Sequence, residues 1–262
     1  AMIKTAVDAQ KKGMLPVFLI TEQKWSWVHA ELMGLMESSE YLFNSDFEYI
    51  EQVTDYINEL LDAQDKGDLP YDLVFLWDSV GSIPSKMTYD GKGGKQHNAG
   101  VLSEKIGMGI NQRITGSRRA NRPHTNTLIV VNQPWVEIPD TYGAQPKIKA
   151  KGGESIYLNS TLVFRFGNEK NAGTTKIAIQ KDGRKVKIAT RTKITIMKNH
   201  INALGYEDGR VIVTAHGFLH GKNETEEKKS MEEYKKNEAD YIGKISEISD
   251  ASNAEIVTEE ED

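Results

Sequence analysis

The sequence predicts an α/β fold with a mostly parallel central sheet, flanked by helices and extended by antiparallel strands. Three observations carry that expectation. Short, nearly all-apolar runs occur at Leu15–Thr21, Asp72–Trp77 and Thr127–Asn132, the pattern of strands buried on both faces. Segments with helical spacing separate these runs. Beyond Gly153 the period changes to alternation, which is the pattern of half-buried antiparallel strands.

Each element follows from local chemistry. Ala1–Lys12 reads as a helix already under way, stopped by Gly13, because glycine tolerates the left-handed conformation that ends helices. After the first apolar run, helices are expected over Ser26–Met36 and Phe47–Ala63. In the second, Tyr49, Val53, Ile57, Leu60 and Leu61 recur at close to helical spacing. Ser82–Gly100 is polar and glycine-rich and reads as a mobile loop. A helix over Val101–Ile114 and a basic connector with Arg118, Arg119 and Arg122 follow it. Pro134–Gly153 is a second long polar loop. Strands are expected over Ile156–Phe166, Lys176–Gln180, Val186–Met197 and Val211–Thr214, with Lys181-Asp182-Gly183-Arg184 as a hairpin turn. Two parts are expected: a core over 1–220 and a charged, partly disordered tail over 221–262.

Composition excludes several classes of function. There are no cysteines, so disulfides, thiolate metal sites and cysteine nucleophiles are ruled out together. No apolar run approaches the roughly 20 residues of a membrane span, and the start is not a secretory signal. A cytoplasmic protein with no membrane partner is expected. The net charge of −5 conceals an asymmetry. Residues 222–262 hold 14 acidic and 6 basic residues, which leaves +3 for the rest, and Arg165–Lys198 alone carries 10 basic against 2 acidic. A basic body beside an acidic tail suits a polyanion partner, and solubility alone explains it equally well.

Chemistry concentrates where the three buried strands end, at Glu22, at Asp78 with Ser79, and at Asn132 with Gln133. In open α/β sheets, ligands bind beyond the carboxyl ends of the strands. An apolar strand ending in Asp-Ser is a Walker B pattern, whose carboxylate orients Mg²⁺ beside nucleotide phosphates. A neighbouring glutamate can polarise an attacking water, and an amide such as Gln133 can sense a terminal phosphate. The blander reading of each is a turn-forming polar residue at a strand end. His216 and His220 have no neighbours that complete a metal-ligand set.

Longer segments make the pattern specific. LVFLWDSVGSIPSK (Leu73–Lys86), NTLIVVNQ (Asn126–Gln133) and GGESIYLNSTLVFRFG (Gly152–Gly167) resemble three successive signature segments of bacterial RecA and its phage relative UvsX. AMIKTAVDAQKKG resembles the helix after the phosphate-binding loop of that family, and FLITE (Phe18–Glu22) the strand ending in its catalytic glutamate. VLSEK (Val101–Lys105) is closer to the phage branch. The resemblance covers roughly residues 1–220 in unbroken order.

The resemblance implies a RecA-like P-loop NTPase core using ATP and Mg²⁺. Glu22 is then the water-activating glutamate, Asp78 the Mg²⁺-associated carboxylate with Ser79 beside it, and Gln133 the phosphate sensor. Ser26 and His29 fall near the adenine contacts, where the family has other residues. Lys198 and His200 sit where basic residues reach a neighbouring subunit's nucleotide. The first DNA-binding loop corresponds to Lys86–Asn98, with Lys86, Lys92 and Lys95, and the basic positions Lys105 and Arg113 lie beyond it. The second corresponds to Pro134–Lys151, with Trp135, Lys147, Lys149 and Lys151, followed by Gly152 and Gly153. The implied activity is a DNA-dependent ATPase that forms a helical filament on single-stranded DNA and exchanges strands with a duplex in recombination and repair. A replicative-helicase motor and a non-catalytic, single-stranded-DNA-binding mediator are the rivals. GxxxxGK[ST] occurs nowhere in the 262 residues. The expectation is therefore that the phosphate loop belongs upstream of Ala1, and that this chain alone hydrolyses ATP negligibly.

Overall fold

The computed structural model describes residues 1–22, 24–36, 40–117, 123–137, 147–151, 154–168, 176–181, 184–219, 225–226 and 228–234. The chain divides into two compact units, Ala1–Thr161 and Leu162–Asp262.

The first unit is built on a four-stranded, all-parallel sheet. Its strands are β1 (Leu15–Ile20), β2 (Leu42–Asn44), β3 (Leu73–Asp78) and β4 (Thr127–Val131), in the order β2-β1-β3-β4. The apolar runs are buried on both faces, as expected. On one face Val17, Leu19, Phe75 and Trp77 pack with Ile50, Val53, Ile57 and Leu61 of helix α3 (Ile50–Lys66). On the other, Phe18, Ile20, Val74 and Leu76 meet Met2, Ala6 and Ala9 of helix α1 (Met2–Gln10). Alternate residues of one strand thus feed opposite cores.

Helix α1 ends as expected, with Gly13 at φ 71°, a conformation glycine adopts without a Cβ clash. Helix α2 is shorter than expected, Trp27–Leu32, and β2 was not anticipated. The segment expected as a mobile loop is instead ordered as helix α4 (Lys86–Tyr89) and the start of α5 (Lys95–Leu102). The latter continues through a π-helical stretch, Ser103–Ile110, into α6 (Asn111–Ser117). Asn98 explains the order. Its Oδ1 accepts from the Ser85 amide at 2.9 Å, the Ser85 hydroxyl at 2.8 Å and the Thr88 hydroxyl at 2.7 Å. The second polar loop contains a hairpin, β5 (Pro134–Glu137) with β6 (Lys147–Ala150). Residues 156–159, expected as the start of a strand, lie in helix α7 (Ser155–Asn159), because Ile156 alone of that stretch enters the core.

The second unit is an antiparallel sheet of β7 (Leu162–Asn168), β8 (Lys176–Lys181), β9 (Arg184–Asn199), β10 (Gly209–Thr214) and β11 (Gly217–Leu219). Lys181 pairs with Arg184, as the expected hairpin requires, while Asp182 and Gly183 lie outside the described residues. Residues 228–234 are helical, and Met231 and Tyr234 pack with Ile188, Ala189 and Ile212. The positions beyond 234 lie outside the described residues, as do His220 and Arg118, Arg119 and Arg122.

A buried amide pair fixes the amino-terminal edge of the parallel sheet. Gln64 Nε2 donates to Asn126 Oδ1 at 2.9 Å, and Asn126 Nδ2 donates back to Gln64 Oε1 at 2.6 Å. The same Asn126 oxygen accepts from the Leu73 amide at 2.9 Å. Substituting Asn126→Leu leaves the Leu73 amide and Gln64 Oε1 without their partners in the interior, while Gln64 Nε2 keeps the Tyr71 carbonyl. Chemical denaturation is expected to show a loss of about 3 kcal/mol, and a loss below about 1 kcal/mol would contradict this account.

Candidate functional site

Parallel pairing sets the site. Ile20 is level with Asp78, and Asp78 with Val131, so the residues after β1, β3 and β4 leave the sheet side by side. The backbones interlock there. The amides of Thr21 and Glu22 donate to the Asp78 carbonyl at 2.8 and 3.2 Å, and that of Val80 donates to the Val131 carbonyl at 3.0 Å. The Thr21 and Ser82 hydroxyls both reach the Ser79 carbonyl, at 2.8 and 2.6 Å. The Asp78–Ser79 peptide is cis.

Three of the four expected catalytic side chains are joined directly. Glu22 Oε1 accepts from the Ser79 hydroxyl at 2.8 Å and from Gln133 Nε2 at 2.5 Å. Gln133 Oε1 in turn accepts from Lys151 Nζ at 3.1 Å. The fourth, Asp78, receives no side-chain hydrogen bond among the described residues. Burial pushes its pKa above the usual carboxylate range, the Glu22 charge adds to this, and the amino group at Ala1 partly offsets it. That amino group is itself pushed down by burial and partly raised by Asp78. Helix α1 therefore begins beside Asp78, with no side chain capping it.

Two carboxylates close enough to repel suit a divalent cation such as Mg²⁺, which would neutralise both. Asp78, with the Ser79 hydroxyl beside it, is the residue that would hold it. No group of three or more carboxylates or imidazoles forms a ready-made metal site among the described residues. A nucleotide fits less completely, since the glycine-rich phosphate loop is not in the sequence.

The remaining expected positions fall elsewhere. Ser26 caps α2 by accepting from the His29 amide at 3.3 Å, so its hydroxyl oxygen is already engaged. Trp25 and Trp27 pack in an aromatic cluster with Phe43, at 5.3 and 4.7 Å between ring centroids. The Nε1 of Trp25 and the Nε2 of His29 are buried without a partner. In the first expected DNA loop, the Lys86 amide donates to Glu51 at 2.9 Å, and its ammonium lies 5.7 Å above the Tyr49 ring. Lys92 is exposed, and Lys95 begins α5. Lys105 lies in the π-helical stretch. The Arg113 guanidinium pairs with Asp62 at 2.7 Å and Asp65 at 3.3 Å on α3. In the second loop, Lys147 and Lys149 sit opposite Glu137 and Trp135 across the hairpin, and Gly152 and Gly153 lie outside the described residues. In the second unit, Lys198 is opposite Val163 on β7, and His200 is exposed just after β9.

Sequence reasoning missed the Thr21 and Ser82 hydroxyls and the link from Lys151 to Gln133. A threonine directly before the strand-end glutamate was the available signal for Thr21. Nothing in the spacing of 18 residues signalled the Lys151 contact.

These features define a class: an α/β protein whose polar site lies beyond the carboxyl ends of a parallel sheet. A solved structure similar to this chain is that of the RadB recombinase, with a TM-score of 0.47 and 12% sequence identity over 84% of this chain and 86% of that one. No protein-family profile and no curated protein matches the sequence. No helix among the described residues is long and apolar enough to cross a membrane.

The raised pKa of Asp78 has a measurable effect on stability. A carboxyl whose folded pKa lies above its unfolded one binds its proton more tightly in the folded state, so its ionised form weakens the fold. Stability then rises as pH falls through the raised value. Asp78→Asn is therefore expected to melt higher than the unsubstituted chain at pH 8 without metal. The gap should close below about pH 4, where the carboxyl is protonated in both states. An equal gap at both pH values would show that ionisation of Asp78 is not the cause.

Proposed function

We propose that this chain is the core of a RecA-type, DNA-dependent ATPase of homologous recombination and repair, closest to the phage UvsX branch. The observation that carries the reading is the hydrogen-bonded set Ser79–Glu22–Gln133, at 2.8 and 2.5 Å, beside a desolvated Asp78 on three adjacent parallel strands.

The residues divide the work by position. Glu22 extends from β1 where its carboxylate can accept a proton from a water attacking a terminal phosphate. Ser79 fixes one of its oxygens. Asp78, next to it, orients the metal, and bound Mg²⁺ supplies charge neutralisation on the phosphates. Gln133 stands at the junction between this site and the β5–β6 hairpin. An amide that leaves Glu22 for a phosphate shifts the start of that hairpin, which carries Lys147 and Lys149 and precedes Lys151. Extended backbone places alternate residues on one side, as phosphate contacts along a strand require. In this reading the protein is cytoplasmic, assembles as a helical filament on single-stranded DNA, and pairs it with duplex. Lys198 and His200 reach a neighbouring subunit's nucleotide.

One observation favours a second reading, a DNA-binding paralogue without catalysis: the sequence contains no GxxxxGK[ST]. The two separate in one experiment. Joined to a phosphate-loop segment, the chain is expected to bind an oligothymidylate more tightly with ATP and Mg²⁺ than without. Gln133→Ala should bring that ratio from about tenfold or more to near one while leaving nucleotide-free binding intact. Binding that ignores ATP in both proteins would favour the paralogue.

A further inference from the structure

We propose that Lys151 is a positioning residue that locks Gln133 onto Glu22, and that a nucleic-acid phosphate releases the lock by drawing the ammonium away. The second clause rests on the DNA-binding reading above; the first does not.

Lys151 is held at several points. Its amide donates to the Gln133 carbonyl at 3.3 Å, and its carbonyl accepts from Asn132 Nδ2 at 2.8 Å. Its Nζ donates to Gln133 Oε1 at 3.1 Å. Its stem lies against the backbone of the turn after β3: a Cβ built on Gly81 would come within 2.7 Å of Lys151 Cβ and 2.8 Å of Lys151 Cδ. Gly81 has an ordinary φ, so its missing side chain serves this approach rather than a special turn. The loops after β3 and β4 thus meet through one lysine stem.

That contact determines what Gln133 can do. A primary amide has two faces, an oxygen that accepts and a nitrogen that donates. With Lys151 on the oxygen, the nitrogen is turned to Glu22 Oε1 at 2.5 Å. A donor on the carbonyl also polarises the amide and strengthens the N–H bond it makes. Glu22 therefore has one oxygen taken by Ser79 and Gln133 together, and Gln133 is not available to a phosphate. The lock is nevertheless easily outbid. Lys151 has no carboxylate partner among the described residues, and its ammonium rests on a neutral amide. A phosphate oxygen makes a charge-assisted bond to the same ammonium, which is the stronger kind. Lys151 lies directly after β6, so a phosphate chain following that strand meets it at the site's edge.

The test uses the full chain, with ¹⁵N side-chain amide spectra of Gln133 and fluorescence anisotropy of a labelled oligothymidylate. In the unsubstituted chain the Gln133 amide protons are expected downfield and slow to exchange. Lys151→Met should move them to the position of a free amide, and Lys151→Arg should retain most of the downfield shift. Gly81→Ala should free the amide as well, though every charge remains. A Gln133 signal unmoved by both Lys151→Met and Gly81→Ala overturns the lock. Saturating oligothymidylate should move the unsubstituted signal to the free position and leave Lys151→Met unchanged, with binding weakened a few-fold. Tight binding that leaves the signal in place overturns release while leaving the DNA reading intact. No binding at all overturns release together with the DNA reading, and the two substitutions then decide the lock alone.

Discussion

The structure depends first on the in-register parallel pairing of β1, β3 and β4. Parallel strands run the same way, so their carboxyl ends share one edge of the sheet. Whatever follows them emerges together. Here the levels match residue for residue, Ile20 with Asp78 and Asp78 with Val131. A slip of one residue would turn every side chain to the opposite core and separate Glu22 from Gln133. Both cores oppose such a slip, because Phe18 and Val74 belong to one face and Val17 and Phe75 to the other. The site's geometry is thus a by-product of hydrophobic register.

What the sequence made legible follows the same logic. Buried parallel strands announce themselves as unbroken apolar runs, and the residue that ends each run is visible by inspection. Glu22, Asp78, Ser79 and Gln133 were readable for that reason, and the structure joins three of them by hydrogen bonds. The polar loops were not readable. Asn98 folds the first one by collecting three donors on a single oxygen, and nothing in local spacing marks an asparagine for that work. The partners of Arg113 were unreadable for a related reason: basic residues look alike in sequence, and only the packing of α6 shows this one paired on α3 with Asp62 and Asp65. The strand expected over 156–166 failed at its start because alternation of Ile156 and Leu158 is also compatible with one buried residue on a short helix.

The two edges of the parallel sheet differ in how completely their polar groups are satisfied. At the amino-terminal edge, Gln64 and Asn126 exchange hydrogen bonds and take up the Leu73 amide, with both side chains buried. At the carboxyl edge, Asp78 is desolvated beside another carboxylate. The buried polar atoms without partners among the described residues are Trp25 Nε1, His29 Nε2 and Asn132 Oδ1, and each belongs to a segment that follows a strand's carboxyl end. An unpaired buried polar atom costs on the order of 1–3 kcal/mol. The fold thus satisfies its amino-terminal edge and concentrates its unfavourable polar terms after the carboxyl ends of the strands.

That asymmetry also explains why the polar network at the carboxyl edge is built from weak links. A lone carboxylate beside Asp78 would repel it, and a lysine placed directly on Glu22 would quench its charge. The chain instead interposes Gln133, which takes the Lys151 ammonium on one face and Glu22 on the other, at 3.1 and 2.5 Å. The amide passes on a hydrogen bond without passing on the charge. Each partner then stays close to a competing ligand: a cation or water for Glu22, an anion for Lys151. A direct ion pair between the two would be stronger and would respond to neither. The neutral amide between two opposite charges is what keeps this edge both ordered and open to exchange.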